Sequence, residues 1–275
     1  MPELPEVETV RRGLMSLVAG SKVSQVEVSY PKMIIGASDE FKQRLTGQTL
    51  ERIDRRGKFL LLRFSNEWTV ISHLRMEGKY FVRQADAPVE KHTHVIFTLA
   101  DGRQLRYNDV RKFGRMQLVQ TGSEQTVKSL AKLGPEPTAA EFSFATFYEQ
   151  LQKKKKAIKP ALLDQNLVVG IGNIYADEIL WLSKVHPATP CNQLTSKQAQ
   201  AIHDNTIEEL SKAVEAGGTT IRSYTDAFEQ TGSFQFALHA YGQTGKPCPR
   251  CQTPIEKIVL AQRGTHFCPH CQQVK

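Results

Sequence analysis

Gly134-Pro135-Glu136-Pro137 is the stretch at which the character of this chain changes. Its glycine and two prolines interrupt any regular element, because proline lacks a backbone donor and glycine favours turns. Before the stretch, apolar and polar residues alternate over short runs; after it, apolar residues recur at helical spacing. The sequence therefore predicts a β-rich part, residues 1–133, and a helical part that begins at residue 134.

The β-rich part begins with one amphipathic helix. Val7, Val10 and Leu14 recur at three- and four-residue steps between residues 5 and 18, and Gly20 closes the pattern. Runs of strand-forming residues, separated by turn signals, then follow at 26–30, 49–53, 59–64, 69–73, 80–82, 94–99, 104–107 and 115–119. We therefore expect a β-sandwich or barrel with a helix at its start.

The helical part has the spacing and the end signals of several helices. Thr195 or Ser196 caps the last of them, and Gly217-Gly218 stops it. A connection rich in glycine, serine and threonine then leads to a cysteine-rich module. The predicted helices span residues 142–154, 159–164, 174–184 and 196–216. The fold class is α+β multidomain, with domains at 1–133, 134–234 and 235–275.

Four of the five cysteines form two pairs, Cys248-Pro-Arg-Cys251 and Cys268-Pro-His-Cys271, with sixteen residues between them. This is zinc-ribbon spacing, since each pair gives two thiolates to one tetrahedral ion. Four thiolates leave no open position for an activated water, so the predicted zinc is structural. The remaining cysteine, Cys191, stands alone, and we expect it to be a small core residue.

The residues between the cysteine pairs favour a β-hairpin. Strand-like segments at 255–260 and 265–267 flank the turn Gln262-Arg263-Gly264, which would place Arg263 at the tip. An arginine at the tip of a hairpin in a basic protein favours a phosphate contact, and a solvated charge is the alternative.

The charge balance favours a polyanionic partner. Lysine and arginine exceed aspartate and glutamate by 36 − 28 = 8, and the pI is about 9.2. Nucleic acid is the leading candidate, although charge alone leaves an acidic membrane surface open. No apolar run approaches the roughly 20 residues of a membrane span, and the start carries no apolar signal-peptide region. Together with a cysteine pattern suited to a reducing compartment, this predicts a cytoplasmic protein without a membrane partner.

The N-terminal residues MPELPEVE allow two interpretations. If Met1 is removed, Pro2 becomes a secondary amine with a reference pKa of about 7.7–8.0, so that a useful fraction is nucleophilic near neutrality. Glu3 and Glu6 lie beside it as candidate proton carriers. The same stretch is also an ordinary helix start, with Pro5 in the first turn and acids at the positive end of the dipole. Taken alone, these residues favour the helix start.

Two further segments have features of a nucleic-acid contact. Gly170 and Gly172 precede a helix capped by Asn173, and such a turn exposes backbone donors to a phosphate; a simple tight turn is the alternative. The lysine run at 153–156, with Lys159 nearby, fits a phosphate-binding surface or merely a solvated face.

The segment Asn108-Asp109-Val110-Arg111-Lys112-Phe113-Gly114 places an arginine and an aromatic two residues apart after a strand. Enzymes that extrude a nucleotide need wedges to fill the gap and a donor for the orphaned base. Arg111 and Phe113 fit these roles, and Met76 is a third candidate. Core packing is the alternative for Met76 and Phe113.

These motifs together resemble bacterial formamidopyrimidine-DNA glycosylases, also called 8-oxoguanine DNA glycosylases. The resemblance covers essentially the whole chain, in order, and only the sibling endonuclease VIII group shares the architecture. It rests on PELPEVETVRRGL at 2–14, Gly57-Lys58-Phe59, His73-Leu74, Arg111-Lys112-Phe113-Gly114, GIGNIYADE at 170–178 and RGTHFCPHCQ at 263–272.

The resemblance implies a bifunctional DNA glycosylase and AP lyase that excises 8-oxoguanine and formamidopyrimidines from duplex DNA and nicks the strand by β,δ-elimination. Pro2 would be the Schiff-base nucleophile, Glu3 would protonate the opened sugar, and Glu6 would help to orient this centre. Lys58 would donate a proton in β-elimination, and Arg263 would do so in δ-elimination.

The resemblance also implies the surroundings of that chemistry. A helix-two-turns-helix domain would occupy 134–234, a lesion loop near 217–232 would close over the extruded base through 219–224, and Glu77 would approach the base. One structural zinc ion and a monomeric state in the bacterial cytoplasm are implied as well. The implied contacts to double-stranded DNA holding damaged bases or abasic sites are His92, Arg111 and Lys154, with Lys159, Asn173 and Tyr241 in support and Met76, Arg111 and Phe113 in the gap left by the flipped nucleotide.

Two alternatives remain at this point. An endonuclease VIII-like glycosylase for oxidised pyrimidines would keep the chemistry, although the PELPEVE start and the Arg111–Phe113 pair speak against it. A zinc-ribbon DNA-binding protein without catalysis would explain the charge and the cysteines, but it leaves Pro2, Glu3 and Lys58 without a purpose.

Overall fold

The structure, a computed structural model, describes residues 1–219 and 232–273. The chain divides into two compact units. The first is Met1–Ala131 with the described part of Gly217–Gly232, and the second is Lys132–Ala216 with the described part of Ser233–Lys275. The boundary between the two units in the sequence, after Ala131, lies close to the glycine–proline stretch at 134–137. The finer division into three domains stays a prediction.

Helices and strands are distributed as the sequence pattern indicates, and only short elements are absent from the prediction. The described helices are α1 Leu4–Val18, α2 Ser38–Leu45, α3 Lys128–Ala131, α4 Phe144–Gln152, α5 Ile158–Leu163, α6 Asn173–Leu182 and α7 Ser196–Glu215. The described strands are β1 Ser21–Val28, β2 Ile34–Ile35, β3 Thr49–Arg56, β4 Phe59–Phe64, β5 Trp68–His73, β6 Lys79–Gln84, β7 Thr93–Leu99, β8 Arg103–Asn108, β9 Arg115–Gln120, β10 Glu256–Leu260 and β11 Arg263–Phe267.

The strands of the first unit form a β-sandwich, as predicted. Their hydrogen-bonded order is β2-β9-β5-β4-β3-β1-β7-β8-β6. Strand β1 belongs to both layers, because its start pairs with β3 and its remainder pairs antiparallel with β7. Phe64 of β4 and Phe97 of β7 stack with ring centroids 6.5 Å apart, so the two layers meet in an apolar core.

Helix α1 packs against this sandwich through one apolar face. Val7, Val10, Leu14 and Val18 are all buried in the core of the first unit. Their three- and four-residue spacing places them on one side of the helix. The predicted amphipathic helix is therefore confirmed, and it begins one residue earlier than expected.

The helices of the second unit surround their own apolar core. Tyr175 and Ile179 of α6 are fully buried there. Thr195 is the N-cap of α7: its side chain accepts from the Gln198 N–H at 3.2 Å, while the Gln198 side chain accepts the Thr195 N–H. Within residues 1–219 and 232–273, none of the helices has both the length and the apolar character needed to cross a bilayer.

The C-terminal hairpin differs from the prediction in its turn. Its connection is Ala261-Gln262, both with positive φ, and Arg263 pairs with Leu260 as the first residue of β11. Positive φ at both central residues is the geometry of a type I′ turn, whose twist suits a two-residue hairpin. Arg263 is therefore the start of a strand rather than the tip, because strand twist overrides the glycine signal at Gly264.

Candidate active site and nucleic-acid interface

The candidate nucleophile Pro2 lies just before the start of α1, beside two buried acids. Pro2, Glu3 and Glu6 are all buried, whereas Met1 is exposed. The backbone N–H of Glu3 donates to Oε2 of Glu6 at 2.7 Å, which closes a capping box. The two interpretations of the N-terminus are therefore compatible, because Pro2 directly precedes the N-cap residue Glu3 of an ordinary helix start.

Glu6 also connects the helix start to the beginning of the segment after α7. Its second oxygen, Oε1, accepts the backbone N–H of Thr219 at 2.7 Å. Gly218 has φ +77°, and a Cβ added there would lie 2.8 Å from Oε1 of Glu6. Only glycine fits this approach. The rest of the predicted lesion loop, residues 220–231, lies outside the described residues.

Lys58 occupies a two-residue turn between β3 and β4, after Gly57 with its positive φ. The lysine is buried. Arg55 donates from Nη1 to the Gly57 carbonyl at 3.0 Å, and from Nε to Oε2 of Glu8 at 3.0 Å. Glu8 lies on α1, so one arginine joins the helix that carries the N-terminal centre to the turn that carries Lys58.

The Glu8 carboxylate is the charged centre of this connection. Burial disfavours its ionised form, but hydrogen bonds and charges from Arg11, Arg55 and Arg12 outweigh that effect and lower the pKa of Glu8 to about 2. Glu8 is therefore ionised at any neutral pH. The acid thus serves as a fixed anchor and not as a proton carrier.

His73, the last residue of β5, lies near the charge of Lys58. Burial, followed by the positive charges of Arg75 and Lys58, lowers the pKa of His73 to about 3, so the ring is neutral at pH 7. Nδ1 accepts the backbone N–H of Arg75 at 3.0 Å, which leaves the ring hydrogen on Nε2. His73 had no predicted role, although the sequence places it at the end of a strand, and that strand pairs with β4 next to Lys58.

A buried aspartate shapes the loop that carries the candidate wedge. Asp109 accepts the N–H of Arg111 at Oδ1, 3.0 Å, and the N–H of Gly114 at Oδ2, 2.7 Å. The guanidinium of Arg111 lies 4.7 Å from the ring centroid of Phe113. The two side chains therefore lie together on this loop.

The candidate wedge residues are exposed rather than packed in the core. Phe113 is 48% exposed and Met76 is 36% exposed, so core packing does not account for either. His92 lies close in the fold to the Arg111 loop, since its carbonyl accepts the N–H of Asp109 at 3.0 Å. The first unit thus exposes apolar side chains, Met76 and Phe113, and the cationic Arg111 lies beside Phe113 on the same loop.

The lysine run of the second unit is partly neutralised. Lys153 pairs with Glu149 at 2.5 Å and Lys156 pairs with Asp164 at 2.7 Å. Among the described residues, no ion pair involves Lys154, which is half-buried. The charge of Lys154 is therefore available for the predicted phosphate contact, whereas Lys153 and Lys156 are ordinary surface lysines in ion pairs.

Lys159 is a correction to the predicted contacts. The side chain is 1% exposed, and its ammonium lies 2.7 Å from Oδ1 of Asp177. It also donates to the Gly264 carbonyl at 3.0 Å and to Oγ1 of Thr265 at 2.8 Å. A charge buried and partnered in this way cannot reach a phosphate in solution, so Lys159 supports the hairpin and is not itself a contact. Asn173 donates to the same Gly264 carbonyl at 3.0 Å.

The backbone around Tyr241 is bound by Glu178, a buried acid on α6. Both carboxylate oxygens of Glu178 accept backbone N–H groups: His239 at 2.8 Å, Ala240 at 2.9 Å and Tyr241 at 2.7 Å. The Tyr241 ring meets the ring of His266 edge-on at 5.0 Å. The half-buried Tyr241 therefore belongs to a fixed backbone segment beside the hairpin.

Glu209 of α7 is a second buried acid close to Glu178, and we expect it to weaken the fold at alkaline pH. Burial and then the Glu178 charge raise the pKa of Glu209 to about 7. The folded-state pKa lies above the unfolded value, so stability is full below about pH 4.5 and falls as the pH rises through 7. Glu209→Gln should therefore gain about 2–3 kcal/mol over the parent protein at pH 8.

Denaturant unfolding at pH 4.5 and pH 8 measures this effect. The gain of Glu209→Gln should be large at pH 8 and small at pH 4.5. Glu208→Gln is the matched control, because Glu208 is the neighbouring acid and is exposed in an ion pair with Lys212. An equal gain at both pH values would contradict the assignment.

The cysteine pairs converge as predicted for one zinc ion. The Sγ atoms of Cys248, Cys251, Cys268 and Cys271 all lie within 4.8 Å of one another. Cys251 Sγ lies 3.4 Å from both Cys268 Sγ and Cys271 Sγ. A tetrahedral zinc–thiolate site with bonds of about 2.3 Å separates its sulfurs by about 3.8 Å, so the cluster fits a structural zinc.

Comparison with protein families gives three matches that together cover most of the chain. Residues 1–116 match the formamidopyrimidine-DNA glycosylase N-terminal domain, and residues 133–225 match the formamidopyrimidine-DNA glycosylase H2TH domain. Residues 245–274 match a zinc finger found in FPG and IleRS. The matches follow the order β-sandwich, helices and hairpin.

Individual relatives agree. The formamidopyrimidine-DNA glycosylase of Ligilactobacillus salivarius is 62% identical over 275 residues and covers 100% of both chains. That of Enterococcus faecalis is 55% identical over 276 residues, 100% of this chain and 98% of the relative. The structure of Lactococcus lactis Fpg with DNA containing N7-benzyl-Fapy-dG has a TM-score of 0.95 at 48% identity and covers 99% of this chain and 100% of that one. Its complex with abasic-site DNA has a TM-score of 0.95 and covers 98% and 99%.

Proposed function

Because this chain belongs to the formamidopyrimidine-DNA glycosylase family, we propose that it removes 8-oxoguanine and formamidopyrimidines from duplex DNA and then cuts the abasic strand. It is a DNA glycosylase of base excision repair, with DNA as its partner. The observation that carries the proposal is the buried Pro2–Glu3–Glu6 centre at the start of a chain that matches these enzymes over its full length.

The first chemical step uses the nitrogen of Pro2 after removal of Met1. The unprotonated nitrogen attacks C1′ of the damaged nucleoside, the C1′–base bond breaks, and the proton lost from nitrogen balances the one taken up by the base. Glu3 protonates O4′ as the sugar ring opens, and an iminium forms between nitrogen and C1′. Glu6 holds the helix start in place through the Glu3 N–H.

The iminium then drives strand cleavage. A secondary amine gives an iminium without an N–H proton, so its positive charge is permanent and accepts electrons when the C2′ proton is removed. In β-elimination Lys58 donates a proton to the leaving 3′ phosphate, while the C2′ proton passes to water. Arg263 acts in δ-elimination, which releases the 5′ phosphate and leaves a one-nucleoside gap.

Binding must extrude the damaged nucleotide and fill the space it leaves. Met76, Arg111 and Phe113 are the proposed wedge, with Arg111 facing the opposite cytosine, and flipping costs a few kcal/mol that contacts repay. His92 and Lys154 contact phosphates, and Asn173 and Tyr241 support that surface. We further propose a monomer in the bacterial cytoplasm, with domains at 1–133, 134–234 and 235–275.

The approach of Gly218 to Glu6 supports a prediction about base excision. Gly217 and Gly218 both have positive φ, so alanine at either position carries a similar backbone cost of about 1–2 kcal/mol. Only at Gly218 would the new Cβ meet the Glu6 carboxylate. Gly218→Ala should therefore lower the single-turnover rate of base release about tenfold more than Gly217→Ala. Equal rates for the two variants would refute a role for the Glu6 contact.

Trapping with borohydride tests the proposed function. The protein is incubated with a duplex holding 8-oxoguanine opposite cytosine and is reduced during turnover; a covalent protein–DNA adduct is expected, because only an imine is reduced to a stable amine. A matched duplex holding thymine glycol should give much less adduct. Preference for thymine glycol would indicate an endonuclease VIII-like specificity, and the absence of any adduct would indicate a non-catalytic DNA-binding protein.

A further inference from the structure

Two consecutive acids on α6 are fully buried, and each faces a different segment. Asp177 and Glu178 are both 0% exposed. Glu178 accepts the backbone N–H groups of 239–241, as described above, whereas Asp177 faces β11. Burying adjacent carboxylates is costly unless each has good hydrogen-bond partners. The groups that these carboxylates bind therefore indicate which part of the structure the two acids hold in place.

The partners of Asp177 lie just after Arg263. Oδ2 of Asp177 accepts both the backbone N–H and the Nδ1–H of His266, each at 2.9 Å. Oδ1 lies 2.7 Å from the ammonium of Lys159, which in turn donates to Gly264 and Thr265. The carboxylate thus organises the backbone of β11 over the residues that follow Arg263.

The same set of bonds extends to Arg263 itself. Oγ1 of Thr265 accepts from Lys159 and donates to the Arg263 carbonyl at 3.1 Å. Asn173, one helical turn before Asp177, donates to the Gly264 carbonyl at 3.0 Å. The side chain of Arg263 is exposed, but its backbone is therefore fixed from α5 and α6.

We propose that Asp177 is a positioning residue for Arg263: with Lys159 it holds β11 in the place where the guanidinium can act in δ-elimination. The proposal rests on the role of Arg263 given above. It explains why the site uses a buried ion pair, since an apolar pair would fill the same space without gripping the backbone of 264–266. The earlier steps at Pro2 use other residues and do not depend on this ion pair.

The test separates positioning from stability. Purified zinc-loaded Asp177→Asn is compared with the parent protein on an abasic duplex, and β- and δ-elimination products are followed in time together with borohydride trapping. The ratio of δ to β product should fall about tenfold, while trapping stays within about twofold. Glu209→Gln is the control: it alters a buried acid of the neighbouring helix α7, so it should shift Tm without changing the product ratio.

A second variant covers the case in which Asp177→Asn folds poorly. Lys159→Met with Asp177→Leu removes the ion pair as a unit, and apolar replacement of a buried pair is often neutral or stabilising. Positioning predicts that this double variant has a higher Tm than Asp177→Asn, because no charge is left buried without a partner, but keeps the low product ratio. A parent-like ratio in the double variant, or a ratio that simply follows Tm across all variants, would overturn the inference.

Arg263→Gln distinguishes the inference from the function on which it rests. If Arg263→Gln lowers the ratio and Asp177→Asn does not, the positioning role is wrong and the role of Arg263 stands. If Arg263→Gln leaves the ratio unchanged, the assignment of Arg263 to δ-elimination is wrong, and the positioning role is overturned with it.

Discussion

Replacement of Pro2 by glycine is expected to lower borohydride trapping on a damaged duplex by at least about a hundredfold, or ~2.7 kcal/mol of activation free energy. Glycine also provides a terminal amine once Met1 is removed. The substitution therefore changes the reactivity of the N-terminal amine but not the charge of the protein. A primary amine forms an imine that loses its proton, and this neutral imine is much less electrophilic than an iminium, both towards borohydride and towards the electrons released in elimination. Duplex binding should survive, because Pro2 is buried and the proposed DNA contacts lie elsewhere.

Pro5→Gly is the matched control for this experiment. Pro5 lies in the first turn of α1, so the same substitution there loosens the helix start without touching the terminal amine. We expect a stability loss of about 1 kcal/mol and readily detectable trapping. If Pro2→Gly and Pro5→Gly trapped equally well, the effect at Pro2 would be structural and the nucleophile would lie elsewhere.

Loss of zinc is expected to have the second large effect. Cys268→Ser removes one of four converging thiolates, and the hairpin that carries Arg263 is built around that cluster. Metal binding and folding are coupled in small modules of this kind, so zinc content and duplex affinity should fall together, affinity by at least about tenfold. Metal analysis and a binding titration at fixed salt measure the two quantities.

Cys191→Ser provides the comparison, because Cys191 is a buried cysteine outside the cluster. Serine there should cost some stability through an uncompensated hydroxyl, but the zinc content should stay at one ion per chain. Undiminished duplex binding by a zinc-free Cys268→Ser protein would refute the role of the module in DNA recognition.

Periodicity made much of the fold predictable. The apolar spacing of α1, the strand alternation before residue 120 and the cysteine spacing each reflect a local rule, and the structure follows them. Short elements were not predicted, because they contain too few apolar residues to show a periodic pattern. Helix α2, for example, buries only Phe41 and Leu45. The hairpin turn was misplaced because Ala261 and Gln262 adopt positive φ against their own preference, under the twist of the strands.

The candidate site was less predictable where burial decides a side chain's role. Lys159 has the sequence context of a phosphate contact, yet the fold buries it on Asp177. The roles of Asp177 and Glu178 were not predictable from the sequence, because the backbone N–H groups that their carboxylates accept lie 61 to 89 positions away along the chain. His73 likewise owes its neutral state to burial and to charges brought near by strand pairing.

The central claim is that the amine of Pro2 bonds to the sugar of the lesion. Mass spectrometry of the proteolysed, borohydride-reduced adduct tests it most directly. The expected result is a peptide that begins at Pro2, lacks Met1 and carries the sugar remnant on its terminal nitrogen. A remnant on Lys58 or on any other side chain, or Met1 still attached in fully active protein, would contradict it.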